Sequence, residues 1–276
     1  MKEKIGFKLY KHLSSLVLIT FTLIPFGILL LTSFRSSEDL GKKGPISLPD
    51  EIVWSNYPKA WETGNFETYF KNSIICMVAT VIFVLFLALL GAYVLSYHEF
   101  RGKQIVISVI MLGVLIPFTQ IMIPLFHTLR GMNLLNTLWA IILPQTAMQI
   151  SFSVFLMRGF MRELPKSVIE SARLDGANEV QTLLHIVTPL VRPALVALII
   201  FTAVSSWNNF MLPTVMIQRD VMRTVPVGLN YFKDQHFTNF PMMCAAANII
   251  IIPILMIYLV FQKKMIQGMT VGSIKG

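Results

Sequence analysis

Charge is scarce in this chain. Asp, Glu, Lys and Arg supply 13% of the 276 residues, where an ordinary soluble domain carries about 25%. The shortage is also uneven. Six stretches of more than 20 residues carry none of the four: Leu13–Phe34, Asn72–Tyr97, Gln104–Leu129, Gly131–Met157, Pro193–Gln218 and Gln235–Gln262. That distribution excludes a water-solvated domain of ordinary surface. Cysteine is nearly absent as well. Cys76 and Cys244 are the two, too few and too far apart for a disulfide framework or a C-x-x-C metal site, so they read as packing residues. The chain lacks G-x-x-x-x-G-K-[ST], so it carries no phosphate-binding loop of its own. It also lacks H-E-x-x-H, G-x-S-x-G and any carboxylate cluster in the charge-free stretches, which argues against a membrane enzyme. No low-complexity tract and no internal repeat is evident.

What remains is apolar length. About 20 mainly apolar residues in a helix cross a hydrocarbon core of about 30 Å, and each charge-free stretch is long enough. The expectation is an all-α polytopic membrane protein with six transmembrane helices near 13–33, 72–97, 105–127, 138–158, 192–216 and 243–262. Lys2, Lys4, Lys8 and Lys11 precede the first. Its apolar run is longer than a signal-peptide core and no A-x-A site follows, so it reads as an uncleaved anchor.

Lys and Arg set the orientation. The termini, 98–104 and 158–192 together hold 14 Lys/Arg, and the opposite loops hold 9 although they are longer. Asp and Glu run the other way, 6 against 8. Both termini and the loop 159–191 are therefore expected in the cytoplasm. The net charge of +9 follows largely from this bias, and a nucleic-acid partner is not expected. The segment 34–71, with Gly41, Gly44, Pro45, Pro49 and Pro58, is expected to form turns and short helices on the external side.

Prolines stand in or beside most spans: Pro25, Pro117, Pro124, Pro144, Pro213 and Pro253. They fit either static bends or a bundle that changes shape around a path. Neutral polar residues interrupt four spans. Thr119 and Gln120 fall in the third, Gln145, Thr146 and Gln149 in the fourth, Ser205, Ser206, Asn208 and Asn209 in the fifth, and Asn248 in the sixth. Such residues face a bundle interior or a wet cavity. Amides and hydroxyls near Trp207 and Phe210 suit a neutral hydroxylated solute. Interhelical hydrogen bonding is the plainer account of any one of them. Thr119, Gln120, Gln145, Gln149, Asn208, Asn209 and Asn248 are the candidate pathway residues.

The loop 159–191 is the most ordered-looking segment outside the spans. Ser167-Val168-Ile169-Glu170 has the S-x-x-E spacing of a capping box, which predicts a helix from Ser167 to about Leu174. Asp175-Gly176 then supplies a turn in which glycine takes positive φ. Asn178, with Gln181 three residues on, predicts the cap of a second helix running to Pro189. Glu170 can also pair with Arg173. A small residue at 172 and a tight turn at 176 permit close approach by a partner surface.

Glu170, Ala172, Gly176, Ile186 and Pro189 stand at the spacing E-x-A-x3-G-x9-I-x2-P. This resembles the EAA loop of ABC importer permeases, E-A-A-x3-G-x9-I-x-L-P, with Ser171 and Thr188 replacing an alanine and the leucine. YFKNSII, ARLDGANE, WNNFMLP, TVPVGL and FQKKMIQGMTVGSIKG further resemble the carbohydrate group of that family, specifically the G-type permease of maltose systems. The resemblance implies a type I importer permease that is not itself an enzyme and forms half of a pathway for a sugar or oligosaccharide. It implies a coupling helix over 167–178, with Glu170, Ser171, Ala172, Asp175, Gly176 and Ala177 meeting a cytoplasmic ATPase dimer. It implies a second contact through the C-terminal tail, at Thr270, Gly272 and Lys275. It also implies a second permease subunit, an external solute-binding protein meeting 217–242, and ATP and Mg held by the partner ATPase, with no cofactor on this chain. The location implied is the bacterial or archaeal cytoplasmic membrane. The chain is expected to be one permease domain over 1–276. The alternative, an ion-coupled secondary sugar transporter, calls for intramembrane charges or inverted repeats, and the sequence offers neither.

Overall fold

The computed structural model describes residues 5–232 and 239–271. The elements are α1 (Ile5–Ser33), α2 (Ser37–Lys43), α3 (Asn56–Thr63), α4 (Phe66–Tyr97), α5 (Lys103–Leu115), α6 (Phe118–Gly131), α7 (Trp139–Glu163), α8 (Lys166–Leu174), α9 (Glu179–Gln181), a π-helical turn (Thr182–Val187) and α10 (Thr188–Leu190). After these come α11 (Arg192–Trp207), α12 (Met211–Met216), α13 (Val225–Gly228) and α14 (Phe240–Val271). Among the described residues four helices are long and apolar enough to cross a membrane, or six if each of two bent helix pairs counts as one span.

Two bent pairs stand at the third and fifth expected spans, α5 with α6 and Glu179–Leu190 with Arg192–Trp207, the second bent by 81°. The stretch 105–127 is not one helix. α5 and α6 meet at 101°. Pro117 disfavours the helical region for the residue before it, and Ile116 accordingly sits extended at φ −81°, ψ 116°. The stretch 192–216 is interrupted after Trp207. Asn209 Oδ1 accepts the Leu212 N–H at 3.1 Å and so starts α12. Pro213, third in α12, lacks a donor where helices leave their N–H groups unused anyway. Pro25, Pro124, Pro144 and Pro253 remain inside helices. The prolines thus divide into one breaker, one at a helix start and four tolerated inside helices.

The described chain forms two compact units. The first comprises Met1–Glu67 and Gly228–Ile252. Its loop after α1 is organised by Arg35, fully buried at 0% exposure. Arg35 Nε meets Asp39 Oδ2 at 2.6 Å, Nη1 donates to the Gly44 and Ser47 carbonyls, and Nη2 donates to the Asp39 carbonyl. Asn56 Nδ2 donates to the Ser33 and Arg35 carbonyls. The short helices α2 and α3 lie within 34–71, where turns and short helices are expected. α1 leaves Leu16, Leu18, Phe21 and Leu23 exposed, a helix apolar on every side that belongs in lipid.

The second unit comprises Thr68–Val227 and Pro253–Gly276. One core joins Val84, Ala88 and Ala92, which repeat every fourth residue on one face of α4, to Met157 and Met161 of α7, Ile169 of α8, Leu183 and Val187 of the π turn and Leu198 of α11. A second core gathers Cys76, Leu129, Ile141, Leu212 and Met216. Gly113 lets α5 lie close to α7, since a Cβ there would meet Ser151 Oγ at 2.3 Å.

Segment 217–227 is pinned to the first turns of α4. Asn72 Nδ2 donates to the Val221 and Arg223 carbonyls, Tyr69 Oη donates to Asp220 Oδ1 at 2.7 Å, and Ser73 Oγ accepts the Val225 N–H. Among the described residues, three non-glycine residues have positive φ, and all are asparagine: Asn65, Asn133 and Asn136. The short polar side chain of asparagine makes the left-handed conformation accessible. Asn136 uses it to accept the Gln218 and Arg219 N–H groups.

Candidate functional site

The loop after α7 folds as helix, glycine turn, helix. α8 begins one residue earlier than the S-x-x-E spacing predicts, at Lys166, with Pro165 in the capping position and no side-chain cap. Ser167 is then already inside the helix and cannot reach back to cap it, so the expected Ser167–Glu170 box does not form. Glu170 is exposed and makes no hydrogen bond or ion pair among the described residues. The pairing expected of Arg173 is also different. Arg173 Nη2 lies 3.0 Å from Glu179 Oε1, not on Glu170.

The turn itself matches the expectation and is more specific. Gly176 has φ +83°. The Ala177 N–H donates to the Ala172 carbonyl at 3.0 Å and the Gly176 N–H to the Arg173 carbonyl at 3.1 Å. These two bonds define a Schellman cap, which needs its left-handed residue where Gly176 stands. Asn178 then caps the next helix as its spacing predicts. Its Oδ1 accepts the Gln181 N–H, and Gln181 Oε1 accepts the Asn178 N–H, both at 2.9 Å.

Ala172 faces inward at 4% exposure, beside buried Ile169. Its small size therefore serves packing within this chain. The outward face of the knob carries Glu170, Ser171, Asp175 and Gly176, together with Leu174 at 88% exposure, Val180 and Leu184. Apolar side chains exposed on a loop outside the spans form a surface suited to a protein partner. Ala177 is half-buried.

Glu179 ties this knob to a span. Tyr93 of α4 donates to Glu179 Oε2 at 2.6 Å, and His98 Nε2 lies 3.4 Å from the same oxygen. The Tyr93 hydroxyl, followed by the charges of Arg173 and His98, holds the Glu179 carboxyl below its ordinary range. None of Tyr93, Arg173 and Glu179 stood out in the sequence as a connected group. A tyrosine near the end of an apolar run was the one available signal, and it does not identify a partner 86 residues away. The π turn that follows is held by Thr188, whose Oγ1 donates to the Leu183 carbonyl at 2.7 Å. A leucine at 188 would lack that bond, so the departure from the EAA pattern has a structural use.

The candidate pathway residues differ in their surroundings. Gln145, at 3% exposure, accepts through Oε1 from Thr80 at 3.2 Å and Ser206 at 2.6 Å, tying α4, α7 and α11 together. Thr119, Gln120 and Asn208 are exposed and Gln149 is half-buried. Asn209 is used at the start of α12. Asn248 belongs to the first unit, where its Nδ2 donates to Tyr57 Oη at 3.3 Å. A cavity of about 350 Å³ lies at the α5–α6 bend, lined by Gly113, Ile116, Ile121, Met148, Ser151 and Phe152. Of the tail residues, Thr270 falls in the last turn of α14, and Gly272 and Lys275 lie outside the described residues.

A bundle of long apolar helices with a capped helical knob projecting from it defines a polytopic membrane protein built to engage another chain. The family described as "binding-protein-dependent transport system inner membrane component" matches residues 84–271, and the chain belongs to it. It is 34% identical over 256 residues to the arabinooligosaccharides transport system permease protein of Halalkalibacterium halodurans, covering 91% of each. It is 31% identical over 255 residues to the diacetylchitobiose uptake system permease protein of Streptomyces coelicolor, covering 92% of this chain and 84% of that one. Its fold matches a chain of a bacterial ABC transporter involved in import of the acidic polysaccharide alginate, with a TM-score of 0.80 at 24% identity over 95% of this chain and 99% of that one. The chain is a permease subunit of an ABC importer, a transport component and not an enzyme.

Proposed function

We propose that the chain forms half of the translocation pathway for an oligosaccharide, as one permease domain over 1–276, and that α8 and the turn after it couple the pathway to a separate ATPase. The cargo class rests on relatives named for arabinooligosaccharide and diacetylchitobiose transport. The partners proposed are a second permease, an ATPase dimer that binds ATP and Mg, and an external solute-binding protein, the last in keeping with the family's description. The Lys/Arg bias supports a cytoplasmic position for the termini and the loop 159–191.

One observation carries the coupling reading. The side chains of Glu170, Ser171, Leu174 and Asp175 are exposed and take no part in the side-chain hydrogen bonds and ion pair that hold the knob. A carboxylate and an apolar side chain left outward together give a partner one charge to pair and one pocket to fill. The test is cysteine at Leu174 in the assembled transporter, with cysteines placed in turn along the ATPase surface. A cross-link that reduces ATP-driven uptake is the expected result. Uptake unaffected by any residue-174 cross-link, or no cross-link at any ATPase position, would sink the coupling role.

A further inference from the structure

A cavity of about 470 Å³ lies between the last turn of α4, the first of α5, the last of α7 and the first of α8. Small-molecule sites span about 300–1,000 Å³. Four basic residues line this one: Lys103, Arg158, Arg162 and Lys166. The one acid in the lining is Glu99, and Lys103 occupies it at 2.8 Å. Among the described residues, no carboxylate lies within ion-pair distance of Arg158, Arg162 or Lys166. Arg158 Nε has a single long contact, to the Leu95 carbonyl at 3.4 Å. Ser96 Oγ, in the same lining, is buried with no hydrogen-bond partner. The inner wall is apolar, from Leu95, Ile107, Met161 and Leu164, and Tyr97 fixes it by donating to the Met161 carbonyl at 2.6 Å.

A general bias of Lys and Arg to one side of a membrane would spread them over the loops. Here they converge on one cavity. Arg158 and Arg162 are one helical turn apart on the same face, and both line the cavity. Guanidinium groups pair with phosphate oxygens two bonds at a time, and the unpartnered Ser96 hydroxyl can donate a further one. α4 and α7 are two of the four helices long and apolar enough to span, and the cavity sits at their ends, where the expected spans leave the hydrocarbon. Basic pockets at that level between membrane helices take anionic headgroups.

We propose that this cavity binds a phosphate group, presented there by an anionic membrane phospholipid. The charged rim meets the phosphate and the apolar wall meets the glycerol and the first carbons of the chains. The bound lipid would brace the α7–α8 junction, from which the knob projects.

The experiment uses the assembled transporter, stripped of lipid in detergent and titrated with phosphatidylglycerol, phosphatidylcholine or inorganic phosphate, with bound ligand counted by native mass spectrometry. Phosphatidylglycerol should bind, and Arg158→Gln/Arg162→Gln should weaken it by about tenfold or more. Phosphatidylcholine, with no net charge, should bind far less. Lys166→Gln, at an exposed position opening α8, leaves the bundle intact and should weaken binding about fivefold. Lys59→Gln, away from the cavity, should change nothing. Inorganic phosphate that displaces the lipid confirms phosphate as the recognised group. Phosphate that binds with the same variant dependence while phosphatidylglycerol does not would overturn the lipid as its source. Equal retention of the two lipids, or phosphatidylglycerol binding unchanged in the Arg pair and in Lys166→Gln, overturns the site.

Discussion

Tyr93 Oη donates a 2.6 Å hydrogen bond to Glu179 Oε2, joining a membrane helix to the first residue after the capped glycine turn. With Arg173 on the other carboxylate oxygen, it attaches the knob to α4 as well as to α7, from which the chain enters it.

Removing the hydroxyl should loosen that connection without unfolding the bundle. Glu179 is half-exposed, so water replaces part of the bond. Tyr93→Phe is expected to cost about 0.5–1 kcal/mol. Amide exchange should accelerate about threefold over 178–190 and stay unchanged in α11. In the assembled transporter, ATP hydrolysis should depend less on the presence of substrate. Uniformly faster exchange across the whole chain would mean that Tyr93 supports the bundle and not the connection.

The same group predicts a pH dependence. Glu179 is held below its ordinary value of 4.5 by the Tyr93 hydrogen bond first and by Arg173 and His98 after it. A carboxyl with a lowered folded pKa stabilises above its unfolded pKa and loses that contribution as pH falls through the folded value. Attachment of 178–190 should therefore be complete above about pH 4.5 and weaken below it. Glu179→Gln should remove this acid limb, read by exchange at a series of pH values.

Gly176 separates conformation from space. Its φ is +83° and no atom lies within 4 Å of where a Cβ would be. Only the backbone angle opposes a side chain, at about 1–2 kcal/mol. Gly176→Ala should lower the order of 172–178 and reduce transport, while Gly176→Asn should restore most of both, since asparagine takes positive φ, from 48° to 61°, at three places among the described residues. Equal loss in the two variants would point to a steric contact with a partner instead of a strained cap.

These elements show how far the sequence could be read. Local rules located Gly176, Asn178 with Gln181, and the short helices of 34–71, because each depends on neighbours within four residues. The six apolar stretches were legible for the same reason. The bends were not, because proline at 117 and at 124 look alike in sequence, and only the surroundings decide which one breaks a helix. Ser167 illustrates the limit of a motif, since a helix that begins one residue earlier takes the capping residue inside. Glu170 and Ser171 of the proposed coupling face were marked by their pattern. Ala172 was marked by the same pattern and points inward. Tyr93, Arg158 and Arg162 act through residues distant in sequence, and periodicity carries no information about such pairs.

Arg35 should be irreplaceable by lysine. It is fully buried and donates to Asp39, Gly44 and Ser47 at once. An ammonium group cannot reproduce the planar fork. A hydrogen bond from a charged donor contributes about 1.5–3 kcal/mol. Arg35→Lys should therefore lower the unfolding midpoint of the detergent-purified protein by several degrees and make 36–55 protease-sensitive. An intact segment at unchanged melting temperature would remove Arg35 from its place at the centre of that loop.

Gln145 decides between the two accounts of polar residues in spans. Its Oε1 is already shared by Thr80 and Ser206, and interhelical hydrogen bonds in membranes average about 0.6 kcal/mol. As a tie between three helices, Gln145→Leu should cost about 1 kcal/mol, because the two freed hydroxyls can turn back to carbonyls of their own helices. The melting temperature should fall slightly, and the apparent affinity of uptake for the sugar should not change. If Gln145 instead lines the path, the order reverses: the affinity for substrate shifts and the melting temperature holds. Measuring both on the same preparation separates the two, and the shared acceptor geometry favours the tie.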